Sequence, residues 1–457
     1  MTIDILPDVA LLEIFDFYAG EKRKTHEDVE HIEAWHTLVH VCRKWRIVVF
    51  GSPHRLGLRL RCTASTPVRE TLGIWPLLPI VIVGGDDEKW GMDNIIAGVE
   101  HKDRICELEL WRVPSSQMEK VFAAMRQPFL TLTRLWLQPK GETAPVVPTS
   151  FLGGSAPRLR NLWLNSISFP RLPKLLLSAT HLVHLELWNI PQPGYISPEA
   201  MVTSLSVLTR LQKLEIGFES PRSRPDRNSR RPPPLTRTLL PVLTQLSFRG
   251  VGTYLEDLTA RIDAPLLDNL IITFFHQLIF DTPQLTQFIR RTPKLKAHDQ
   301  AHVVLSEDHV WVTLPQTPDG NLHLGISCKQ SDWQLSSLAQ ICSLSFPQAF
   351  ISAVEHLYIR TEYLGMHWQD DIENSQWLEL FHPFTAVKSL YISQDFATHI
   401  APALQELIGE RVTEALPALQ NLFLEETRHS GPIQEGIGQF VAARQLAGHP
   451  ITVSRWE

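Results

Sequence analysis

Leu132-Thr133-Arg134-Leu135-Trp136-Leu137 is followed at Leu159-Arg160-Asn161-Leu162-Trp163-Leu164 and again at Leu182-Val183-His184-Leu185-Glu186-Leu187. The same spacing, apolar at the first, fourth and sixth positions, recurs at Ile105-Leu108-Leu110, Leu211-Leu214-Ile216, Leu243-Leu246-Phe248 and Leu267-Leu270-Ile272. Three more copies stand at Val354-Leu357-Ile359, Val387-Leu390-Ile392 and Leu419-Leu422-Leu424. Up to Leu270 the middle residues of successive copies lie 23 to 32 apart; after a gap of 87 they resume at intervals of 33 and 32. Ten copies in order are a repeat.

Strand geometry says what the repeat is for. Alternate side chains of a strand face opposite ways, so the fourth and sixth positions share a face. Two or three apolar side chains, at about 1.5–3 kcal/mol each, cannot offset the conformational entropy of ordering a unit of this length alone. Stacked units share one core and become stable together. Between the strands lie helix-like stretches such as 116–126, 198–208 and 286–291, which predict an α/β class with helices along the outer side. Over residues 100–430 the pattern resembles the leucine-rich-repeat family, which implies an irregular solenoid. It departs from the family at the ninth position, where Asn is usual and Val113, Ile167, Ile190, Val251 and Phe275 stand.

Two stretches break the pattern. Residues 221–237 carry six Arg against one Asp and no aromatic residue, and read as an Arg/Pro-rich loop inserted into one repeat or as a docking site for an acidic or phosphorylated partner. Residues 301–328 alternate apolar and polar, with turns at Glu307-Asp308 and Pro318-Asp319-Gly320, and predict an antiparallel β-meander interrupting the array. The alternation of Leu56, Leu58 and Leu60 predicts the first strand just ahead of the repeats.

The first 55 residues follow a helical period. Val9, Leu12, Ile14, Phe15 and Tyr18 give one apolar face behind Leu6-Pro7-Asp8. A second helical run over 35–50 places Leu38, Val41, Cys42, Trp45, Val48 and Val49 three and four apart, with a charged insertion at 21–33 between the two. Leu6-Pro7, Leu11-Leu12-Glu13-Ile14-Phe15 and Val41-Cys42-Arg43-Lys44-Trp45-Arg46 resemble the F-box, an all-α module, over residues 3–55. The insertion is longer than the family's. The resemblance implies a Skp-type adaptor and, through it, a cullin scaffold as partners. It implies adaptor contacts from Leu6, Pro7, Leu11, Ile14 and Phe15, with Val41, Cys42 and Trp45 bracing or extending that surface. The expected organisation is an N-terminal F-box at 1–55 and a leucine-rich-repeat-like solenoid at 56–457.

Composition excludes several function classes. With 43 Lys+Arg against 49 Asp+Glu the formal charge is −6, which argues against a nucleic-acid footprint. An apolar fraction of 44% argues against wholesale disorder. Five scattered cysteines (Cys42, Cys62, Cys106, Cys328 and Cys342) give no C-x-x-C pair, which fits a reducing compartment. Residues 1–8 lack a basic stretch and the run at 74–83 is broken by Pro76 and Pro79, so neither a signal peptide nor a membrane span is expected. The expectation is a soluble cytoplasmic or nuclear protein, with 222–231 a candidate nuclear signal.

No nucleophile elbow, zinc-protease motif, P-loop or dinucleotide fingerprint occurs, so neither an active site nor a cofactor is expected. Gly84-Gly85-Asp86-Asp87 reads as a turn whose acids would repel phosphate. His36 and His40 lack a third metal ligand, and His298 and His302 read as a strand end and its turn.

Binding is the remaining class. With positions four and six inward, positions three, five and seven face the open, concave side. They hold Trp111, Trp136, Trp163, Trp188, Tyr358, Tyr391 and Phe423, with Glu107, Glu109, Arg134, His184, Glu186, Lys213, Glu215, Arg249, His356 and Arg360. Trp, Tyr and Arg dominate binding hot spots. Trp111, Trp136, Trp163, Trp188, Tyr358, Tyr391, Phe423, Arg249 and Arg360 are therefore candidate contacts to an unknown protein substrate, the four Trp forming the floor of a groove. The order F-box then repeats is that of substrate receptors of Skp–cullin–F-box ubiquitin ligases. The alternative is a non-ligase leucine-rich-repeat scaffold that holds a peptide or small molecule.

Overall fold

Each L-x-x-L-x-L copy contributes one strand, and neighbouring copies pair in parallel with their leucines in register. In the computed structural model Leu108 lies opposite Leu135, Leu135 opposite Leu162, and Leu162 opposite Leu185. The structure describes residues 6–23, 34–52, 59–65, 67–75, 77–85, 91–221, 236–277, 280–315, 320–328, 331–362, 372–425 and 432–456. They fall into two compact units, Met1–Tyr195 and Ile196–Glu457. No helix among the described residues is long and apolar enough to cross a membrane.

The first unit opens with three helices, α1 (Asp8–Arg23), α2 (Ala34–Val39) and α3 (Arg43–Gly51). The run 35–50, expected as one helix, is broken at 40–42. Cys42 is extended there (φ −157°), and its Sγ accepts the Trp45 N–H at 3.4 Å, so it caps α3. Leu11, Phe15, Leu38, Val39, Val48 and Val49 form the core between the helices. Most of the insertion at 21–33 lies outside the described residues; α1 reaches Arg23.

Six parallel strands follow: β1 (Arg59–Arg61), β2 (Ile80–Gly85), β3 (Ile105–Pro114), β4 (Arg134–Lys140), β5 (Asn161–Asn165) and β6 (His184–Ile190). Of the expected first strand at 56–60 the structure describes Arg59 and Leu60, which lie in β1; 53–58 lie outside the described residues. Gly84 and Gly85, expected in a turn, are the last residues of β2, and Asp86 and Asp87 lie outside the described residues. In β5 burial alternates residue by residue, with Leu162 and Leu164 inside and Asn161, Trp163 and Asn165 half-buried on the open face. Outer segments complete the core: Ser115–Ala124 buries Met118, Val121 and Phe122, and Phe122, Phe151 and Phe169 meet edge to face at 5.5 and 5.7 Å. Positive φ marks Arg112 and Asn189, near the ends of β3 and β6, and Ser166, just past β5. Asn189 Nδ2 donates to Asn165 Oδ1 at 2.9 Å, so a short asparagine rung exists even though the ninth position lacks one.

The second unit carries β7 (Lys213–Phe218), β8 (Thr238–Leu239), β9 (Gln245–Gly250), β10 (Ile262–Asp263), β11 (Asn269–Phe275), β12 (Gln300–Leu305), β13 (His309–Pro315), β14 (Asn321–Ser327), β15 (His356–Thr361), β16 (Ser389–Ile392), β17 (Asn421–Glu425) and β18 (Thr452–Trp456). β8 and β10 pair separately. Stretch 301–328 forms β12, β13 and β14, but it does not interrupt the hydrogen-bond ladder. β14 pairs parallel to β11, β12 pairs parallel to β15, and β13 runs antiparallel between them. Two antiparallel reversals return the chain to the original direction, so the repeats resume in phase. Most of loop 221–237 (222–235) lies outside the described residues.

One half-buried and one fully buried side chain tie adjacent repeats together. Glu256, on helix Gly252–Thr259, accepts from Gln284 N and Leu285 N at 2.9 and 2.8 Å and so caps the next helix, Pro283–Arg291. Its pKa is raised by burial despite those bonds. Arg444, fully buried, donates to the carbonyls of Val412, Leu416, Pro417 and Leu419 at 3.0–3.5 Å.

Candidate functional site

Two separate surfaces carry the expected contacts, one on the helices and one on the open side of the strands. On the helices, the two motifs that carry the F-box resemblance meet in space. Lys44 Nζ donates to the Leu6 carbonyl at 2.6 Å and stands 3.9 Å from the Asp8 carboxylate. Trp45 packs on Phe15 with ring centroids 4.7 Å apart. An open groove of about 440 Å³ runs along Asp8, Cys42, Arg43, Lys44, Ile47 and Val48.

The expected adaptor contacts divide by burial. Pro7, Ile14 and Val41 are exposed, and Leu6, Cys42 and Trp45 are partly exposed. Leu11 and Phe15 are fully buried, which corrects their expected role: they hold α1 to its neighbours and present nothing to a visitor. The spacing of α1 explains it, since residues four apart share a helix face and Leu11 and Phe15 occupy the inward one. Sequence reasoning missed the exposed apolar residues Phe17 (71%) and Ile47 (61%), and placed on one apolar face with Phe15 the exposed Val9 (68%). Their signal was present, because Phe17 and Ile14 fall on the side of α1 away from Leu11 and Phe15.

On the first unit's strands, three of the four expected tryptophans come together. Trp136 and Trp163 lie directly opposite each other at 4.6 Å, and Trp111 meets Trp136 edge to face at 6.2 Å. Trp188 is the exception. It pairs in register with Asn165, while Glu186 takes the place beside Trp163. All four are half-buried, and Trp111 lies over Gly85, where an added Cβ would come within 2.6 Å of the indole. Glu109 is 4% exposed between Arg59 (3.8 Å) and Arg134 (3.5 Å), and Arg134 also reaches Glu107 at 3.5 Å. The acids and bases on this part of the face therefore largely neutralise each other.

The tryptophan cluster contributes to stability as well as surface. Changing Trp136 and Trp163 together to Ala should cost about 2–3 kcal/mol, from lost half-burial and one aromatic pair. The fold should persist, because Leu135, Leu137, Leu162 and Leu164 beneath are unchanged. Urea denaturation checks this; loss of all cooperative folding would make the cluster a core element, not a contact surface.

In the second unit the aromatic row is longer than the sequence indicated. His302, Tyr358, Tyr391 and Phe423 occupy neighbouring register positions and stack nearly parallel, at 4.6, 4.2 and 4.5 Å with interplanar angles of 14°, 12° and 7°. Trp456 meets Tyr391 and Tyr358 edge-on at 5.6 and 6.2 Å and donates to the Ile392 carbonyl at 3.3 Å. His302 is thus a strand residue inside the stack, which corrects its expected place at a turn. Burial, then the charge of Arg360, lowers its pKa to about 4, so the ring is neutral. His323, hydrogen-bonded at 3.1 Å to Thr313, is also held at about 4 by burial. Burial and the neighbouring Tyr391 raise the Tyr358 phenol.

The two expected arginines do not converge. From Arg249 the row of register partners passes through Thr273, Gly325, Trp311 and Val304 before reaching Arg360. Arg249 lies over Phe275, its guanidinium 5.7 Å from the ring centre. Arg360 is exposed and makes no ion pair among the described residues. The described residues hold no group of three His, Cys, Asp or Glu suited to a metal, and the side chain of His36 lies outside them.

This architecture resembles leucine-rich-repeat proteins. The resemblance rests on the in-register parallel strands. No family model matches the chain, and no curated protein matches it. Among solved structures the chain is similar to the leucine-rich-repeat-containing protein LegL7 from Legionella pneumophila, at 14% identity over 86% of this chain and 98% of that one, with a TM-score of 0.27. It is also similar to TLR13 in a TLR13–ssRNA13 complex, at 12% identity and a TM-score of 0.30, over 86% of this chain but only 48% of that one. TM-scores this low add nothing to the register itself.

Proposed function

We propose that the chain is the substrate-recognition subunit of a Skp–cullin–F-box ubiquitin ligase. It makes and breaks no covalent bonds. The helices α1–α3 dock a Skp-type adaptor, the strands' open faces hold a target protein, and the tether raises the target's effective concentration at the recruited conjugating enzyme. The observation that carries this reading is the junction of α1 and α3. There the Leu6-Pro7 and Val41–Arg46 motifs are joined by Lys44, with Pro7, Val9, Ile14, Phe17, Val41 and Ile47 left exposed around them. Apolar side chains in this density on so small a module are surface kept for a partner.

Co-purification tests it. Tagged full-length chain expressed with a Skp-type adaptor should retain the adaptor. The double variant Ile14→Asp, Phe17→Asp should reduce retention at least about 100-fold, two buried-interface charges costing on the order of 3 kcal/mol. The variant's melting temperature should hold, because both residues are exposed. A folded wild-type chain that retains no adaptor would leave the scaffold and remove the ligase.

A further inference from the structure

The second unit fills part of its own open face. Trp456, on β18, sends its indole past β17 and donates Nε1–H to the carbonyl of Ile392 on β16 at 3.3 Å. Strands lie about 4.8 Å apart, so the side chain crosses the width of two. Its ring meets Tyr391 at 5.6 Å and 73°, and Tyr358 at 6.2 Å and 61°. One directed hydrogen bond and two edge-on ring contacts are the means by which an aromatic side chain of another protein is held on such a face.

Trp456 is not set in place like a core residue. It is half-buried, and the residues before it on β18, Thr452, Val453, Ser454 and Arg455, are exposed. Val453 is 45% exposed although its register partner Leu422 is fully buried. Among the described residues β18 pairs only with β17. Rotation about the side-chain bonds of Trp456 therefore removes the indole and leaves the β18 backbone where it is. Nor does the indole complete the site. Ser393, the residue after Ile392, is 6% exposed, and its Oγ has no hydrogen-bond partner. Charge selects no occupant, because Arg360 shares this end of the strands with Glu362, Asp395 and Glu425. The selecting feature is the place that the indole fills.

We propose that Trp456 is an internal stand-in for a ligand, and that a target protein docks on β15 and β16 through a tryptophan that displaces it. Tryptophan is the occupant because its ring N–H repeats the bond to the Ile392 carbonyl, which phenylalanine cannot make. A polar group beside it in the docking segment meets Ser393 Oγ, which Trp456 leaves unsatisfied. This inference rests on the target-binding half of the proposed function and names its anchor; it uses neither α1 nor α3.

The test compares the full chain with its Trp456→Ala variant, each titrated with N-acetyltryptophanamide by NMR and then probed with an array of random-sequence peptides. With the stand-in removed the amide should bind at least about tenfold tighter, since an occupant in place about nine-tenths of the time weakens a competitor by that factor. Trp456→Phe, which keeps a ring and loses the N–H, should fall between the two. Peptides captured by Trp456→Ala should be enriched in tryptophan and bind the parent more weakly by the same factor. Should Trp456→Ala not fold, the parent labelled with fluorotryptophan takes its place: tryptophan-containing peptides should move the fluorine resonance that Trp456→Phe deletes. The proposal is overturned if the amide binds parent and variant alike, if N-acetylleucinamide gains as much, if captured peptides show no tryptophan enrichment, or if that resonance stays still. None of these results touches adaptor retention, and loss of retention leaves them unchanged, so the two readings fail separately.

Discussion

Replacing Arg444 with methionine should lower the unfolding free energy by about 3–5 kcal/mol, among the largest losses available to a single residue outside the leucine core. The side chain is fully buried, and its two terminal nitrogens serve four carbonyls, those of Val412, Leu416, Pro417 and Leu419. These carbonyls belong to the short 3-10 turn Gly409–Thr413 and the irregular stretch from it to β17, where the Leu416 carbonyl also accepts the Leu419 N–H at 3.1 Å. Burial lowers the Arg444 pKa, which marks a desolvation cost, yet a guanidinium stays charged in proteins. Methionine fits the apolar stem but removes the arginine's donors from all four carbonyls, of which Leu416 keeps the Leu419 N–H. Lysine should recover only part of the loss, because one compact ammonium cannot reach four acceptors that the planar fork spans. Urea denaturation of the three chains measures the effect. A methionine variant within 1 kcal/mol of the parent, a threshold on the order of one ordinary hydrogen bond, would mean that the loop re-pairs its carbonyls without the arginine.

Such devices were invisible in the sequence for a physical reason. An arginine in the helix Pro432–Leu446 reads as a solvated charge, and only the packing of one repeat on the next reveals that its head turns inward. The strands were the opposite case. Leu135, Leu162 and Leu185 could be assigned to one buried row before any coordinates, because an alternation of period two leaves a single face for the core. The meander shows where that logic stops. Its strands carry no L-x-x-L-x-L copy, so their alternation gave a sheet but no register with β11 and β15. Without register, His302 and His323 could not be placed on the open face.

Register also decided the binding surface. Their place in consecutive repeats made the four Trp expected neighbours, whereas the pairing sets Glu186 beside Trp163 and Trp188 level with Asn165. Trp111 and Trp188 occupy the seventh position, Trp136 and Trp163 the fifth, and a stack needs the same position in adjacent copies. In the second unit Tyr358, Tyr391 and Phe423 all hold the fifth position, which is why they form an unbroken column. For α1 the period itself separated buried from exposed residues, but a motif names residue types and not the side that each faces. Leu11 and Phe15 match the motif and belong to the core.

The column of rings and its neighbours predict a pH dependence that one substitution isolates. His323 is held at about 4 by burial against an ordinary value of 6.5, and His302 is lowered as far by burial and Arg360. A histidine whose folded pKa is depressed contributes stability that is complete above its unfolded pKa and is lost as pH falls through 6.5 toward 4. For the half-buried His323 the difference between the two states should be about 2–3 kcal/mol between pH 7.5 and 4.5, at roughly 1.4 kcal/mol per pH unit. His302 is less enclosed, and solvent screening makes its share smaller. His323→Asn keeps a hydrogen-bonding group near Thr313 but cannot take up a proton. Carboxylates titrate in the same range, yet they are common to both chains and cancel in the difference. Urea titrations of the parent and His323→Asn at pH 7.5 and 4.5 should therefore show the parent losing about 2–3 kcal/mol more than the variant. Equal losses would mean that the ring is protonated in place, with water reaching Nε2 through the open face, and that the face is wetter than its stacked aromatics imply.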